Sequence, residues 1–357
     1  MSLGYHAPMP PAPTGVAQYA DSLLRHLKPG LKGNLYQIGN NGLHWEIYQR
    51  ALRQPGVVLL HDACLHHLLL GQLSRDEYVD EFVYNYGEWF RQTADRYWEA
   101  RSASAADTRY FERPMLRRIA ESARLVIVHN LAAKAQIEAH APQARVEIVP
   151  HLFEAPRDHY YREIDEYRQQ VLGASRDVCL FAVLGYLRES KRLDTILAVF
   201  EDLKRQGLPV RLLVQGSFAS SELERAVGSR IEMRRAYLDE AEWWMQAHAI
   251  DVAINLRWPL AGESSGIATR LMGIGKPVIM TRSRETEDIP EVAAIKVDPG
   301  LAEREQLAHY VAWLALNPEA RRAVGRHAAI HTNQFHRADL VAARIGDLLE
   351  SVASSNT

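Results

Sequence analysis

Residues 255–279 read Asn-Leu-Arg-Trp-Pro-Leu-Ala-Gly-Glu-Ser-Ser-Gly-Ile-Ala-Thr-Arg-Leu-Met-Gly-Ile-Gly-Lys-Pro-Val-Ile. A run of branched apolar side chains, Val252–Leu256, enters this stretch as a buried strand. A loop then presents Gly262, Glu263, Ser264, Ser265 and Gly266, and a helix follows. Gly275-Lys276-Pro277 stops that helix, and the apolar run Pro277–Met280 starts the next strand. A strand, a helix and a second strand within so short a stretch is the unit of a parallel sheet. The amides of Ser264, Ser265 and Gly266 are placed to cradle an anion at a helix start. Glu263 is placed to accept hydroxyl protons from a ligand. A Ser-capped helix whose Glu complements the dipole is the plainer reading. The full strand-loop-helix-Gly-Lys-Pro-strand arrangement favours the functional one.

The same alternation runs outward in both directions. Val57–Leu60, Leu125–Val128 and Val146–Val149 precede it; Cys179–Leu184, Val210–Val214 and Ile295–Val297 complete the set of buried strands. Between them lie amphipathic helices, such as Arg192–Gln206 with Leu193, Ile196, Leu197, Phe200 and Leu203 on one face. The fold class expected is therefore α/β, with two Rossmann-like domains. Each is a parallel sheet with helices on both faces, and ligands sit at the carboxyl ends of the strands, in a cleft between the domains. Pro150–Pro156 and the charged, Tyr-rich segment to about Gln170 read as a linker. The expected domains are 1–155 and 156–335, with 336–357 a C-terminal helix packing back on the first. The first strand has only Ser2–His6 available before the Pro-rich loop.

Three further constellations stand at strand ends. In Pro8–Tyr19 a stiff loop runs into Thr14-Gly15 and opens a helix with Val16, Tyr19, Leu23, Leu24 and Leu27 inside; Gly15 lets backbone amides approach a ligand, and Thr14 is equally a simple N-cap. Val57–Leu60 ends in His61-Asp62, followed by His66 and His67, where a polar side chain can bind a ligand or move a proton. These residues match no usual zinc spacing, so a metal site is not expected. Leu184-Gly185-Tyr186-Leu187-Arg188-Glu189-Ser190-Lys191-Arg192 carries cations into a helix start. The dipole there already disfavours positive charge, so Arg188, Lys191 and Arg192 point to an anionic ligand. Asn40, Asn41 and His44 lie in Gly39–His44 as further polar candidates, while the aromatic stripe Tyr78–Trp98 reads as core.

With 357 residues, 47% apolar and 24% charged, the chain is long enough for two soluble domains. A formal charge of −2 gives no global basic excess, so nucleic acid is not an expected partner. Two distant cysteines, Cys64 and Cys179, fit a reducing compartment, and no apolar run or leader suggests export.

At these residues the chain resembles the group 1 (family 4) retaining glycosyltransferases of the GT-B architecture. Gly15 corresponds to the family's first Gly-rich loop and His61 to its strand-end histidine. Gly185 and Lys191 match a Gly-Arg…Lys-Gly pattern in which Tyr186 takes the Arg position and Arg192 the second Gly position. Glu263 matches the first of two family glutamates; Arg270 stands at the second, in a loop one residue shorter. The resemblance implies a nucleotide-diphosphate sugar donor on the C-terminal domain and an acceptor on the N-terminal domain: a glycan, a lipid-linked molecule or a small molecule. It implies catalytic roles for Arg188, Lys191, Glu263 and His61, and donor binding by Gly15, Gly185, Ser264, Ser265, Gly266 and Arg270. Asn40, Asn41, His44 and Asp62 are the acceptor-side candidates. No metal or other cofactor is expected. The expected location is cytoplasmic, with weak peripheral contact at the inner membrane face through Arg91, Arg96, Arg101 and Trp98 as an option. A nucleotide-sugar binding protein without turnover, or another GT-B enzyme such as an epimerase, are the alternatives.

Overall fold

The computed structural model describes residues 2–12, 14–105, 107–156, 163–236 and 238–354. They form two compact units: Met1–Leu152 with Pro259–Ser264 and Phe335–Thr357, and Phe153–Trp258 with Ser265–Gln334.

The first unit holds five parallel strands, β1 (Leu3–His6), β2 (Gly33–Ile38), β3 (Val57–Leu60), β4 (Leu125–Val128) and β5 (Val146–Ile148), side by side in chain order. Alternation of side chains along each strand divides the apolar residues between two cores. Leu35, Val57, Leu59, Leu125 and Ile127 pack on one face against Tyr19 and Leu23 of the helix Gly15–His26 and against Val341, Ile345 and Leu349 of the helix Ala338–Ser354. Tyr36, Ile38, Val58, Leu60, Val126 and Val128 pack on the other, against Leu68, Tyr78 and Phe82. The aromatic stripe thus lies in the core at Tyr78 and Phe82, whereas Trp89 is 97% exposed.

In the second unit β6 (Cys179–Leu184), β7 (Val210–Gln215), β8 (Met233–Arg235), β9 (Val252–Asn255), β10 (Val278–Thr281) and β11 (Ile295–Val297) form a six-stranded parallel sheet. Their lateral order is β11-β10-β9-β6-β7-β8. Chain order therefore reverses between β6 and β9, and a sheet of this kind binds ligands outside the carboxyl ends of the strands at that reversal.

Three local expectations are corrected. Strands β2 and β8 join the expected set without an apolar run to mark them, because Asn34 and Gln37 interrupt the apolar pattern of one and the other has only three residues. Leu24, expected inside, is 44% exposed. The segment after the prolines is more than a linker: Ile164–Glu166 and Tyr167–Val171 are helical. Arg168 is buried there, donating to Ala249 O at 2.7 Å, Val178 O at 2.6 Å, Ser175 O at 3.3 Å and Asp251 Oδ2 at 2.9 Å. Four acceptors on the two terminal nitrogens of one guanidinium fix this turn, and that leaves no periodicity to read. Residues 157–162 of the expected linker lie outside the described residues. Among the described residues no helix is long and apolar enough to cross a membrane.

Candidate functional site

The reversal in the second unit is built from glycines and cations. Gly185 leaves β6 at φ +99°, and a side chain there would meet Ile267 Cδ1 at 2.2 Å. Gly216, after β7, lies so close to Gly185 that its Cβ would fall 1.8 Å from Gly185 O. Two strand ends and the start of the helix Gly266–Gly273 can meet here only because neither position carries a side chain. Beyond Gly185, Leu187 bridges to Phe218, and the short turn Glu189–Lys191 brings Ser190 O to Trp258 N at 2.7 Å. That bond carries Arg257, just past β9, to the neighbourhood of Lys191.

Lys191 is 4% exposed, and its Nζ donates to Leu184 O at 3.0 Å. Burial, with the charges of Arg257 and Arg188, pushes its pKa well below 10.5. Arg192 follows at φ +59°, a left-handed conformation that glycine adopts without cost. It pairs with the buried Glu303 at 2.8 Å. The helix Gly266–Gly273 starts with Ser265, whose Oγ accepts from Ala268 N at 3.2 Å and donates to Asn255 Oδ1 at 3.3 Å. Its first-turn amides have no partner within the helix. Arg270 lies one turn further on. Its guanidinium stacks over Trp243 and Trp244 at 3.9 and 4.2 Å and donates to Glu240 at 3.3 Å. Lys276 is bound to His248 O and Ile250 O, both at 2.7 Å, and burial pushes it down to about 8. It clamps the end of one helix to the next strand.

In the first unit the strand ends bond to one another. Tyr5 donates to Ala20 O at 2.6 Å and accepts from Gln37 Nε2 at 2.6 Å. Gln37 Oε1 faces His61 Nε2 at 3.0 Å, His61 Nδ1 faces His129 Nε2 at 3.3 Å, and His129 Nδ1 faces Val149 O at 2.9 Å. Carbonyls, which only accept, close both ends of this chain. Its five links need five protons, whereas Tyr5, one side of the Gln37 amide and two neutral imidazoles supply four. Turning the amide over does not change the count. Burial pushes His129 down to about 4 and His61 well below its usual range, so both are neutral near pH 7. The link without a proton is His61–His129, the longest of the five.

The 7%-exposed His61 thus donates from Nε2 to Gln37 Oε1 and turns a bare Nδ1 toward His129 inside the protein. Asp62 Oδ2 accepts from Asn40 N at 2.8 Å, and Asn40 Oδ1 accepts from Leu68 N at 2.9 Å. Asn41 caps Leu43 N at 3.0 Å, and His44 is buried with Nδ1 on Gln37 O at 3.1 Å. His66 is a core residue held by Arg113 O and Tyr78 Oη. Gly15 opens its helix without crowding: a Cβ there would meet nothing within 4 Å. Asn130, 1% exposed, donates to Gly262 O at 3.3 Å and Ser264 Oγ at 3.1 Å, and so holds the segment that carries the half-buried Glu263.

No protein-family model and no curated protein matches the sequence. Among solved structures the chain is similar to sucrose-phosphate synthase from Thermosynechococcus elongatus, at 14% identity and TM-score 0.64, covering 90% of this chain and 74% of that one. It is similar to Anabaena HepE in complex with UDP, at 14% identity and TM-score 0.63, covering 98% and 100%. It is also similar to WaaG, a glycosyltransferase involved in lipopolysaccharide biosynthesis, at 14% identity and TM-score 0.61, covering 97% and 98%. The chain has the GT-B fold.

Within this GT-B fold the predicted residues separate into groups. Gly185, Arg188 and Lys191 come together at the β6 end, with Ser265 and Gly266 at the neighbouring helix start. Asn40 and Asp62 share a hydrogen bond, while Asn41 and His44 have local structural partners. Arg257, Gln37, His129 and Asn130 were not singled out from the sequence. Arg257 stood inside the quoted stretch, directly after a strand, and His129-Asn130 directly follow Leu125–Val128. A polar residue at the carboxyl end of a buried parallel strand was the available signal.

Proposed function

We propose that this protein is a glycosyltransferase that takes a sugar from a nucleoside-diphosphate sugar, with Arg188, Lys191 and Arg257 gripping the diphosphate. The supporting observation is Lys191: buried, beside two guanidiniums, at the point where strand order reverses. Such a cluster suits a ligand whose own charge is negative. As the bond between sugar and diphosphate breaks, negative charge grows on the leaving phosphate, and fixed cations and amides already aimed there lower the barrier. The amides of Gly266 and Ile267 add to them at the helix start. Protein cations thereby do the work for which a metal is otherwise used. Glu263 is assigned to the sugar hydroxyls, and the open backbone at Gly15 to close approach of the ligand.

The sugar is proposed to be a hexose, transferred with retention of configuration to a glycan, lipid-linked or small-molecule acceptor. Asp62 and Asn40 are the acceptor-side groups that this reading keeps. Because His61 is buried, with Nε2 bonded to Gln37 and Nδ1 turned to His129, its assigned role is to hold the end of β3. HepE binds UDP and UDP-glucose, which makes these the first ligands to test. Both buried cysteines are free, which suits action in the cytoplasm.

The test is thermal stabilisation by a panel of nucleoside diphosphates and their sugars, followed by donor hydrolysis and transfer assays. A binder of the folded state raises the melting temperature with occupancy. Lys191→Ala and Arg257→Ala are expected to weaken binding of the cognate donor by about 100-fold each, the loss of one or two charge-assisted hydrogen bonds. Donor affinity unchanged in both variants rejects the site. Binding without hydrolysis or transfer favours the binding-protein alternative.

A further inference from the structure

Lys191 has two charges of its own sign acting on it. An ammonium has three N–H donors, and here one of them goes to a carbonyl, Leu184 O. The charged groups that act on it are Arg188 from the same loop and Arg257 from the end of β9. Two carboxylates close to it in the chain or beside its neighbour Arg192 are committed elsewhere. Glu189 accepts from Ser220 Oγ at 2.8 Å, and Glu303 is paired with Arg192 at 2.8 Å. Among the described residues no carboxylate forms an ion pair with Lys191. Removal from water and two like charges both disfavour the charged amine. A pyrophosphate among the same three side chains reverses the balance, because its charge favours the ammonium and its oxygens accept the remaining N–H groups.

We propose that Lys191 is a proton-coupled ligand: donor diphosphate and one proton from solvent bind together, the proton going to Lys191 Nζ, with Arg257 as the further cation that makes the coupling strong. This rests on the reading of the second unit as a diphosphate site. Arg188 and Arg257 stay charged at every working pH, so they supply the steady field. Lys191 alone adjusts its charge to the ligand. Donor affinity then falls as pH rises, since the proton becomes scarcer while the phosphates stay fully charged.

Isothermal titration of the full chain with UDP and with UDP-glucose decides the matter. At about pH 8.5 the UDP phosphates, with a last pKa of about 6, are ionised and ordinary histidines are neutral, so proton uptake reports on lysine. Run in buffers of low and high ionisation enthalpy, the binding enthalpies are expected to differ by the equivalent of up to one proton taken up per ligand, and the affinity to fall with rising pH by up to about tenfold per pH unit. Lys191→Arg, charged throughout, is expected to bind with no buffer dependence and a flat pH profile. Tight binding by the wild-type chain with no proton uptake and no pH slope overturns the coupling and leaves the diphosphate site standing. Failure of every nucleoside diphosphate to bind removes the site and the coupling together.

Discussion

The two units are built from the same alternation of strands and helices, yet their strand ends differ in kind. In the second sheet chain order reverses between β6 and β9, and loops leaving in opposite directions bring Arg188, Lys191 and Arg257 to one place. In the first sheet the strands lie in chain order, with no reversal, and the polar groups at their ends bond to each other through Tyr5, Gln37, His61 and His129. One set of strand ends carries positive charge without an internal counter-ion on its lysine. The other is neutral, buried and one proton short. A parallel sheet supplies polar positions wherever its strands end, and lateral order decides whether those positions converge on a ligand or on one another.

The largest effect expected of a change that tests this contrast is at Gly216. Gly216→Ala puts a methyl group onto Gly185 O, at a φ of +138° that side chains rarely adopt. The second unit is expected to lose about 3 kcal/mol or more of stability in denaturant melts, in the upper range for single substitutions. A loss below about 1 kcal/mol would mean that the β6 and β7 ends can separate, against the tight packing described.

The second effect separates the units by pH. Burial, the leading cause in each case, lowers His6, His44, His61, His66, His129, His140 and His336 in the first unit, with His66 down to about 3 and His129 to about 4. In the second unit it lowers His248, to about 4. A histidine whose folded pKa is depressed binds its proton more readily when unfolded. Its contribution is fully present above about pH 6.5 and is lost as pH falls toward the folded value, at up to about 1.4 kcal/mol per pH unit for a fully buried group such as His129 and less where solvent screens the ring, as at His6, His140 and His248. Acid unfolding is therefore expected to begin in the first unit, with its amides exchanging faster than those of the second between about pH 6 and pH 4.5. Loss of both units at the same pH would break the contrast.

The smallest effect belongs to Gly15, the counterpart of Gly216 at a first-unit loop. Gly15→Ala meets no neighbouring atom, so stability is expected to change by no more than about 0.5 kcal/mol in a thermal melt. A fall in donor or acceptor affinity at unchanged stability would show that glycine serves a ligand there.

Much of this architecture is legible in the amino-acid sequence. Val57–Leu60, Leu125–Val128 and Cys179–Leu184 are uninterrupted apolar runs because they are buried on both faces of a parallel sheet. Ser265 as the cap of a helix ended at Gly275-Lys276-Pro277 follows from local chemistry. Gln37 hid β2, because a polar residue inside a strand reads as an interruption until its partner, Tyr5, is placed beside it. Arg168 hid the helical turn at 167–171 in the same way, its acceptors lying as far along the chain as Asp251.

The sequence by itself determined where the uninterrupted apolar strands and the stops of the helix Gly266–Gly273 fall, and which residue types stand at those strand ends, because these depend on neighbours within a turn or two of chain. Only the tertiary structure decided that Arg257 joins Lys191, that Arg270 lies on Trp243 and Trp244, and that His61 bonds Gln37 and faces His129. Burial and Coulomb interaction depend on distance in space, and the lateral order of strands, which sets that distance, is written in no local stretch of the chain.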